Sequence, residues 1–154
     1  MKLGFIGTGQ ITKAVIYGIL NSKIKYSKIY ISSRNKKISS HLSKISKKII
    51  VIKDNQKILN LSQWVFLSIT PTVGNKIIKN LKFKKNHTII SFISTIKMKD
   101  LKKFIKVNAT IVRAIPLPPI SLKKGPVPIF PANKKIKKFF DNLGTTVEIK
   151  NESL

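Results

Sequence analysis

The residues near the N-terminus constrain the fold of this chain more than any other segment. An apolar run from Leu3 to Ile6 meets the sequence Gly7-Thr8-Gly9, and a helix-period pattern begins directly after it. A glycine at position 7 permits a tight turn, and a glycine at position 9 lets bare backbone approach a diphosphate. The helix that follows points its free N–H groups and the positive end of its dipole at that anion. The segment therefore predicts a strand–turn–helix unit that binds a dinucleotide.

The third position of this glycine fingerprint departs from the usual pattern. Glycine or alanine normally stands there for close packing of helix against strand, and this chain has Thr12. A β-branched residue should either push the helix slightly outward or turn its hydroxyl to a backbone carbonyl. The apolar spacing of the helix predicts one buried face, formed by Ile11, Ala14, Val15, Gly18 and Ile19.

Short apolar runs alternate with helix-period segments along the rest of the chain, which indicates a parallel sheet covered by helices. The predicted strands are residues 2–7, 28–32, 49–52, 64–69, 88–92, 109–114, 127–130 and 146–149. Further helices are predicted at residues 35–46, 54–61 and 134–143, and from Pro71 onward. The fold class is α/β: a Rossmann-like, doubly wound, mostly parallel sheet with helices on both faces. We expect a single domain, residues 1–150, followed by a tail at residues 151–154.

Local residue types add four expectations. Asp54 should cap the helix that follows it. The run 49–52 is apolar throughout and should be buried on both faces. The prolines in 127–130 favour an edge strand. The prolines at 116, 118 and 119 should exclude regular structure after the sixth strand.

The formal net charge of +26 raises the question of nucleic-acid binding. All basic residues except Arg34 and Arg113 are lysines, and they are spread along the whole chain without interleaved aromatic residues. This pattern predicts salt-sensitive attraction to polyanions and no specific nucleic-acid function.

The chain has no cysteine and no apolar run of membrane-spanning length, so a cytoplasmic protein without membrane contact is expected.

Acid, base and metal chemistry have little support in the sequence. The five acidic residues are scattered, and His41 and His87 are far apart without neighbouring ligands. His41 is expected to be solvated and His87 to be a turn residue. No metal site is predicted, and no residue is assigned as catalytic.

The identity of the dinucleotide follows from the end of the second strand. NAD binding normally uses a carboxylate about 20 residues after the fingerprint to hold the ribose hydroxyls. No Asp or Glu precedes Asp54, and Ser33 and Arg34 stand in the corresponding place. A guanidinium pairs with a 2′-phosphate through its forked donors. The sequence therefore favours NADP (NADPH), with NAD as the less favoured alternative.

Other residues at the carboxyl ends of strands complete the expected site, since ligands of open α/β sheets collect there. Asn55 follows the third strand, the run from Ser68 to Pro71 follows the fourth, and Ser94 follows the fifth. The full set of expected cofactor-binding residues is Ile6, Gly7, Thr8, Gly9, Gln10, Ile11, Ser33, Arg34, Asn55, Ser68, Ile69, Thr70, Pro71 and Ser94.

Taken in order, these segments resemble the pyrroline-5-carboxylate reductase family. The matching pieces are Gly4–Ile11, Ser33-Arg34, Asp54-Asn55, Val65–Pro71, Ile90-Ser91, Val112–Pro116 and Leu143–Glu148. The resemblance implies the NADP-binding domain of an oxidoreductase that acts on CH–NH groups. Its reaction is hydride transfer from NADPH to a cyclic imine acid, 1-pyrroline-5-carboxylate, giving proline in the last step of proline synthesis.

The same resemblance implies a second, all-helical domain that forms the substrate pocket and the dimer. This sequence ends where that domain is expected to begin, so the isolated chain is expected to be weakly active or inactive and not to form an oligomer. Three positions depart from the family pattern near the reacting end of the cofactor: Thr70, Ile93-Ser94-Thr95 and the Leu117-Pro118-Pro119 loop. These departures leave open a non-catalytic NAD(P)-binding module and a related reductase with another substrate.

Overall fold

Eight strands form one sheet in the computed structural model, which describes residues 1–152. The strands are β1 Lys2–Ile6, β2 Lys28–Ser32, β3 Ile49–Ile52, β4 Trp64–Leu67, β5 Thr88–Ser91, β6 Thr110–Ala114, β7 Pro126–Phe130 and β8 Thr145–Glu148. The α-helices are α1 Gln10–Leu20, α2 Lys36–Ile45, α3 Asn55–Leu61, α4 Pro71–Asn80, α5 Met98–Ile105 and α6 Lys134–Asp141. The end of the predicted tail at 151–154 lies outside the described residues.

The order of the strands places a ligand crevice beside β1. The order is β3-β2-β1-β4-β5-β6-β7-β8, and every neighbouring pair is parallel except β6 with β7. The chain leaves β1 toward β2 and β3, and then crosses back to add β4 on the other side of β1. The carboxyl ends of β1 and β4 therefore form a topological switch point, the place where open α/β sheets bind ligands.

Two apolar clusters cover the two faces of the sheet. One contains the buried sides of α1, α2 and α6, and the other those of α3, α4 and α5. Successive strand residues point alternately into the two clusters, so Phe5 belongs to the first and Ile6 to the second. In the first cluster the ring of Phe5 stacks on that of Phe66 at 4.4 Å between centroids. The predicted α/β fold with helices on both faces is confirmed.

Several local predictions are confirmed by the positions of the elements. Strands β2 and β3 have the predicted bounds, and the other strands differ from theirs by one or two residues at one end or, for β8, by one residue at both ends. Asp54 caps α3, its carboxylate accepting a hydrogen bond from the Gln56 N–H at 3.0 Å. Pro71 occupies the first turn of α4.

Two predictions about strand positions are wrong. Strand β3 is not buried on both faces, because it is an edge strand in which only Ile49 is buried. Strand β7 is not at an edge but lies between β6 and β8. Pro126 and Pro128 act instead by shortening its pairing with β6, which is limited to Arg113 with Phe130 and Ala114 with Ile129.

Two smaller predictions are also wrong. The buried side of α1 contains Thr12 and Ile16, whereas Ile11 and Ala14 are only half-buried, because the helix packs on both the sheet and the proline-rich segment. That segment is regular, since Pro118–Leu122 forms a short 3-10 helix whose first turn suits the fixed proline φ.

His87 lies at the end of the turn before β5, as predicted, where its N–H donates to the Lys84 carbonyl at 3.1 Å, and its side chain is buried. Its Nδ1 accepts a hydrogen bond from the Lys84 N–H, and its Nε2 lies 2.9 Å from the Leu59 carbonyl and donates to it. Burial lowers the pKa of His87. The ring is therefore a neutral structural element of the amino-terminal edge of the sheet.

Within residues 1–152, none of the helices has the length and apolar character needed to cross a lipid bilayer.

Candidate functional site

The turn after β1 requires a glycine at position 7. The φ angle of Gly7 is +104°, a conformation that side chains rarely adopt. A Cβ on Gly7 would also lie 2.3 Å from the carbonyl oxygen of Ser68. Glycine is needed here so that the turn can pass directly over the end of β4.

Gly9 differs from Gly7 because nothing in the fold requires a glycine there. Its φ angle is −94°, which any residue can adopt, and a Cβ built on it would meet no described atom within 4 Å. Gly9 is the N-cap residue of α1, and within residues 1–152 no side chain caps the helix at this end. The first N–H groups of α1 therefore have no side-chain acceptor among the described residues, and they lie at the positive end of the helix dipole.

Four buried or half-buried hydroxyl groups hold the turn on the sheet. The Ser32 hydroxyl accepts a hydrogen bond from the Gly7 N–H at 3.0 Å, and Thr8 Oγ1 donates to the Ser32 carbonyl at 2.7 Å. The hydroxyl of Thr12 lies 2.9 Å from the Gly7 carbonyl and 2.8 Å from the Ser68 hydroxyl. Since the carbonyl can only accept, Thr12 donates to it and accepts from Ser68. Of the two outcomes expected for Thr12, the hydroxyl-to-carbonyl contact is confirmed.

Two adjoining cavities open over this turn. The larger has a volume of about 590 Å³ and is lined by Gly7, Thr8, Gly9, Arg34, Asn35, Lys36, Ser68, Ile69 and Thr70. The smaller has a volume of about 140 Å³ and is lined by Ile6, Gly7, Ser32, Ser33, Arg34, Lys53, Asn55, Ile69 and Ile77. Both include Gly7, Arg34 and Ile69, so together they form one continuous crevice across the carboxyl ends of β1, β2 and β4.

Most of the residues expected to bind the cofactor meet in this crevice. They come from four segments distant in sequence: Ile6 to Gly9, Ser33 with Arg34, Asn55, and Ser68 to Thr70. The side chain of Thr8 is turned inward to Ser32, so this residue presents backbone to the crevice.

Four of the expected residues lie elsewhere. Gln10 and Ile11 line a shallow groove between α1 and the proline-rich segment. Pro71 is exposed at the start of α4, and Ser94 is exposed in the loop after β5.

The crevice is basic where β2 and β3 end. Arg34, Lys36 and Lys53 contribute cations, and the lining residues within 1–152 include no carboxylate. Sequence reasoning missed Lys36 and Lys53 because lysine is so common in this chain that no single one stands out. Their positions, just after the ends of β2 and β3, are the signal that could have selected them.

The described residues contain no group of three or more His, Cys, Asp or Glu side chains that could hold a metal ion.

The crevice offers backbone N–H groups, hydroxyl groups and cations, which are donors for an anionic ligand. Phosphate groups at the α1 N-terminus and at Arg34 fit both this donor set and the open space beside Gly9. The fold and this crevice define a dinucleotide-binding α/β domain.

Residues 2–95, more than half of the chain, match the family described as NADP oxidoreductase, coenzyme F420-dependent, and the chain belongs to this family. Pyrroline-5-carboxylate reductase 3 from Danio rerio is 27% identical over 129 residues, which are 81% of this chain and 44% of the relative. The chain thus spans less than half the length of that relative.

Two solved structures share the fold. Pyrroline-5-carboxylate reductase from Streptococcus pyogenes matches with a TM-score of 0.81 at 22% identity, over 97% of this chain and 58% of that chain. Pyrroline carboxylate reductase from Plasmodium falciparum, solved with NADP bound, matches with a TM-score of 0.81 at 22% identity and the same 97% and 58% coverage. The chain is thus similar in sequence to one pyrroline-5-carboxylate reductase and in fold to two solved ones.

Proposed function

We propose that this domain binds NADPH across the carboxyl ends of β1, β2 and β4. The diphosphate is placed on the N–H groups at the start of α1, beside Gly9. The observation that supports this placement best is the open space at Gly9 in front of a helix end that no side chain caps. An anion there satisfies the free N–H groups and interacts favourably with the helix dipole.

The preference for NADPH over NADH rests on the basic end of the crevice. The adenosine half of a dinucleotide extends toward the end of β2, where Ser33 and Arg34 line the smaller cavity together with Lys53. A 2′-phosphate gains charge-assisted hydrogen bonds from Arg34, whereas a ribose hydroxyl finds no carboxylate acceptor among the lining residues. The proposed contacts are the expected residues that line the crevice, the backbone N–H groups at the start of α1, and Lys36 and Lys53.

The proposed activity of the whole protein is reduction of a cyclic imine acid, 1-pyrroline-5-carboxylate, to proline. It is supported by the similarity to the reductase from Danio rerio and by membership of an NADP oxidoreductase family. When bound, the nicotinamide would supply the hydride. Residues 1–150 act in this proposal as the dinucleotide-binding domain, whose part is to hold the cofactor in place for a substrate site completed by further residues.

Titration with NADPH and NADH at physiological salt tests this proposal. We expect saturable binding of NADPH, followed by its nicotinamide fluorescence, with an affinity at least about tenfold above that for NADH, as expected for a lost charge-assisted contact. Equal affinities would remove the NADP preference. Binding that is absent or never saturates would contradict the proposed function and leave only the attraction of a +26 chain to anions.

Two matched variants distinguish specific recognition of the 2′-phosphate by Arg34 from the general attraction of a positively charged surface to NADPH. Arg34→Ala should weaken NADPH binding about tenfold or more and leave NADH binding nearly unchanged, because only NADPH carries the 2′-phosphate. Lys37→Ala removes the same charge from an exposed neighbour that lines neither cavity. Equal effects of the two substitutions on NADPH affinity would show that Arg34 has no specific role.

A further inference from the structure

A largely buried ion pair joins β6 to the end of the described chain. The guanidinium of Arg113 is 8% exposed and the Glu152 side chain 18% exposed, and Nη1 of the arginine donates to Oε2 of the glutamate. The two residues are 39 positions apart in sequence. This pair is outside the crevice described above, and the proposed function does not use it.

Both members of the pair also hold the loop between β5 and α5, residues 92–97. Nη2 of Arg113 donates to the Ser94 carbonyl at 2.7 Å. Oε2 of Glu152 accepts from the Met98 N–H at 2.9 Å. The middle of the loop is thus held by the guanidinium, and the junction of the loop with α5 is held by the carboxylate, so the loop cannot shift without breaking a charged hydrogen bond.

The carboxylate also completes the N-terminus of α5. The N-cap residue of this helix is Lys97, whose side chain makes no capping hydrogen bond. Glu152 instead brings a negative charge to the first N–H of α5, where the helix dipole favours it. The start of α5 and the conformation of the loop before it therefore depend on one residue from a distant part of the sequence.

The strand order determines which half of a dinucleotide this loop can meet. β2 lies on one side of β1, and β4 and β5 lie on the other. A dinucleotide that crosses the switch point with its adenosine half over β2 extends its nicotinamide half toward the ends of β4 and β5. The loop 92–97 leaves the carboxyl end of β5 and hence borders the nicotinamide half.

We propose that Arg113 and Glu152 are positioning residues that fix the loop 92–97 against the nicotinamide half of the bound cofactor. This inference rests on the proposed function. A largely buried ion pair adds little net stability compared with a well-packed apolar pair. What this pair supplies is a defined position for the Ser94 carbonyl in the middle of the loop and for the Met98 N–H directly after it.

The test compares a ligand that has a nicotinamide with one that lacks it. NADPH and adenosine 2′,5′-bisphosphate share the adenosine half and the 2′-phosphate. Glu152→Gln removes the negative charge, and Arg113→Lys keeps the positive charge without the fork that spans both acceptors. For both variants we expect NADPH affinity to fall at least about threefold, while affinity for the bisphosphate stays within about twofold, with a changed emission of bound nicotinamide.

The control is an ion pair of the same type on the protein surface. Lys137 and Asp141 lie 2.8 Å apart on α6 with both side chains largely exposed, and Asp141→Asn should change neither affinity. Equal losses for both ligands in the Arg113 and Glu152 variants, from local change or from unfolding, would overturn the proposal. No change for either ligand would overturn it as well. If the unsubstituted protein binds the bisphosphate but not NADPH, or neither, the proposed function fails first.

Discussion

The N-termini of α1 and α5 have similar positions in the fold, but one is open and the other is occupied by a carboxylate. Both helices start at the carboxyl edge of the sheet, and neither has a side-chain cap from its own N-cap residue, Gly9 or Lys97. At α5 the carboxylate of Glu152 occupies the helix end. At α1 the described chain brings no acidic group, and the space beside Gly9 is open.

This difference indicates how the fold separates structure from binding. The N-terminus of α5 receives a negative group from within the chain, so it serves to hold a loop. The N-terminus of α1 receives none from the described chain, so it serves to bind the anionic group of a ligand. Two helix ends at the same edge of the sheet thus have different roles. The difference comes from Glu152 in front of α5 and Asp100 in its first turn, whereas the first turn of α1 contains no acidic residue.

The largest expected effect is that of Gly7→Ala. The substitution combines a φ of +104° with a Cβ only 2.3 Å from the Ser68 carbonyl oxygen. We expect a loss of at least about 2 kcal/mol in the free energy of unfolding and loss of NADPH binding. Urea unfolding followed by circular dichroism measures the first and titration the second. An unchanged unfolding midpoint would show that the turn is not constrained as described.

Gly9→Asp tests the difference between the two helix ends, because it should preserve or raise the stability of the protein and lower its affinity for NADPH. Aspartate is a good N-cap residue and brings to α1 a carboxylate like the one that Glu152 brings to α5. The unfolding midpoint should stay the same or rise, whereas NADPH affinity should fall by more than about tenfold, since the site is filled and the charges repel. Gly9→Ala is the neutral control, with little change in stability. Retained NADPH affinity in Gly9→Asp would place the diphosphate elsewhere.

Thr12→Val tests how the open helix end is held. The substitution keeps the shape and removes the hydroxyl that bonds the Gly7 carbonyl and Ser68. We expect a loss of about 1–2 kcal/mol in the free energy of unfolding, because two buried polar groups lose a partner. Thr12→Ser, which keeps the hydroxyl, should recover most of it. If valine and serine have the same effect on the unfolding midpoint, the hydroxyl network does not hold the turn.

The smallest expected effect concerns His87, at the opposite edge of the sheet. Burial lowers its pKa, so below about pH 6.5 the unfolded chain takes up a proton that the folded chain does not. The contribution to stability is therefore present above this pH and decreases as the pH falls, by at most about 1.4 kcal/mol per pH unit. Protonation of Nδ1 would also prevent it from accepting the Lys84 N–H.

Thermal unfolding between mildly alkaline and mildly acidic pH measures this effect. His87→Gln should flatten the pH dependence of the melting temperature. The same pH dependence in the substituted and unsubstituted proteins would assign the titration to other groups.

The parts of this molecule that sequence reasoning predicted are those determined by neighbouring residues. The strand–turn–helix unit at Gly7 and Gly9, the Asp54 cap and the strand bounds depend on contacts within a few positions. The errors at β3 and β7 have another origin. Apolar content and proline indicate that a segment is a strand, but the neighbours of a strand in the sheet are set by the whole topology.

In the candidate site, too, some residues could be predicted from the sequence and others could not. Arg34 could be selected because arginine is rare here, whereas Lys36 and Lys53 could not be separated from the lysines around them. The contact of Glu152 with Arg113 and Met98 had no sequence signal, because its members come from three distant segments and pair through burial.

Two-dimensional amide NMR during a titration with NADPH tests the central claim most directly. The account predicts saturable shifts of the amide signals of Gly7, Gly9 and Gln10, at one NADPH per chain and at physiological salt. Signals at the start of α5 should move less, because Glu152 already occupies that helix end. Shifts confined to lysine-rich surfaces, with the signals of Gly9 and Gln10 unmoved at saturation, would contradict it.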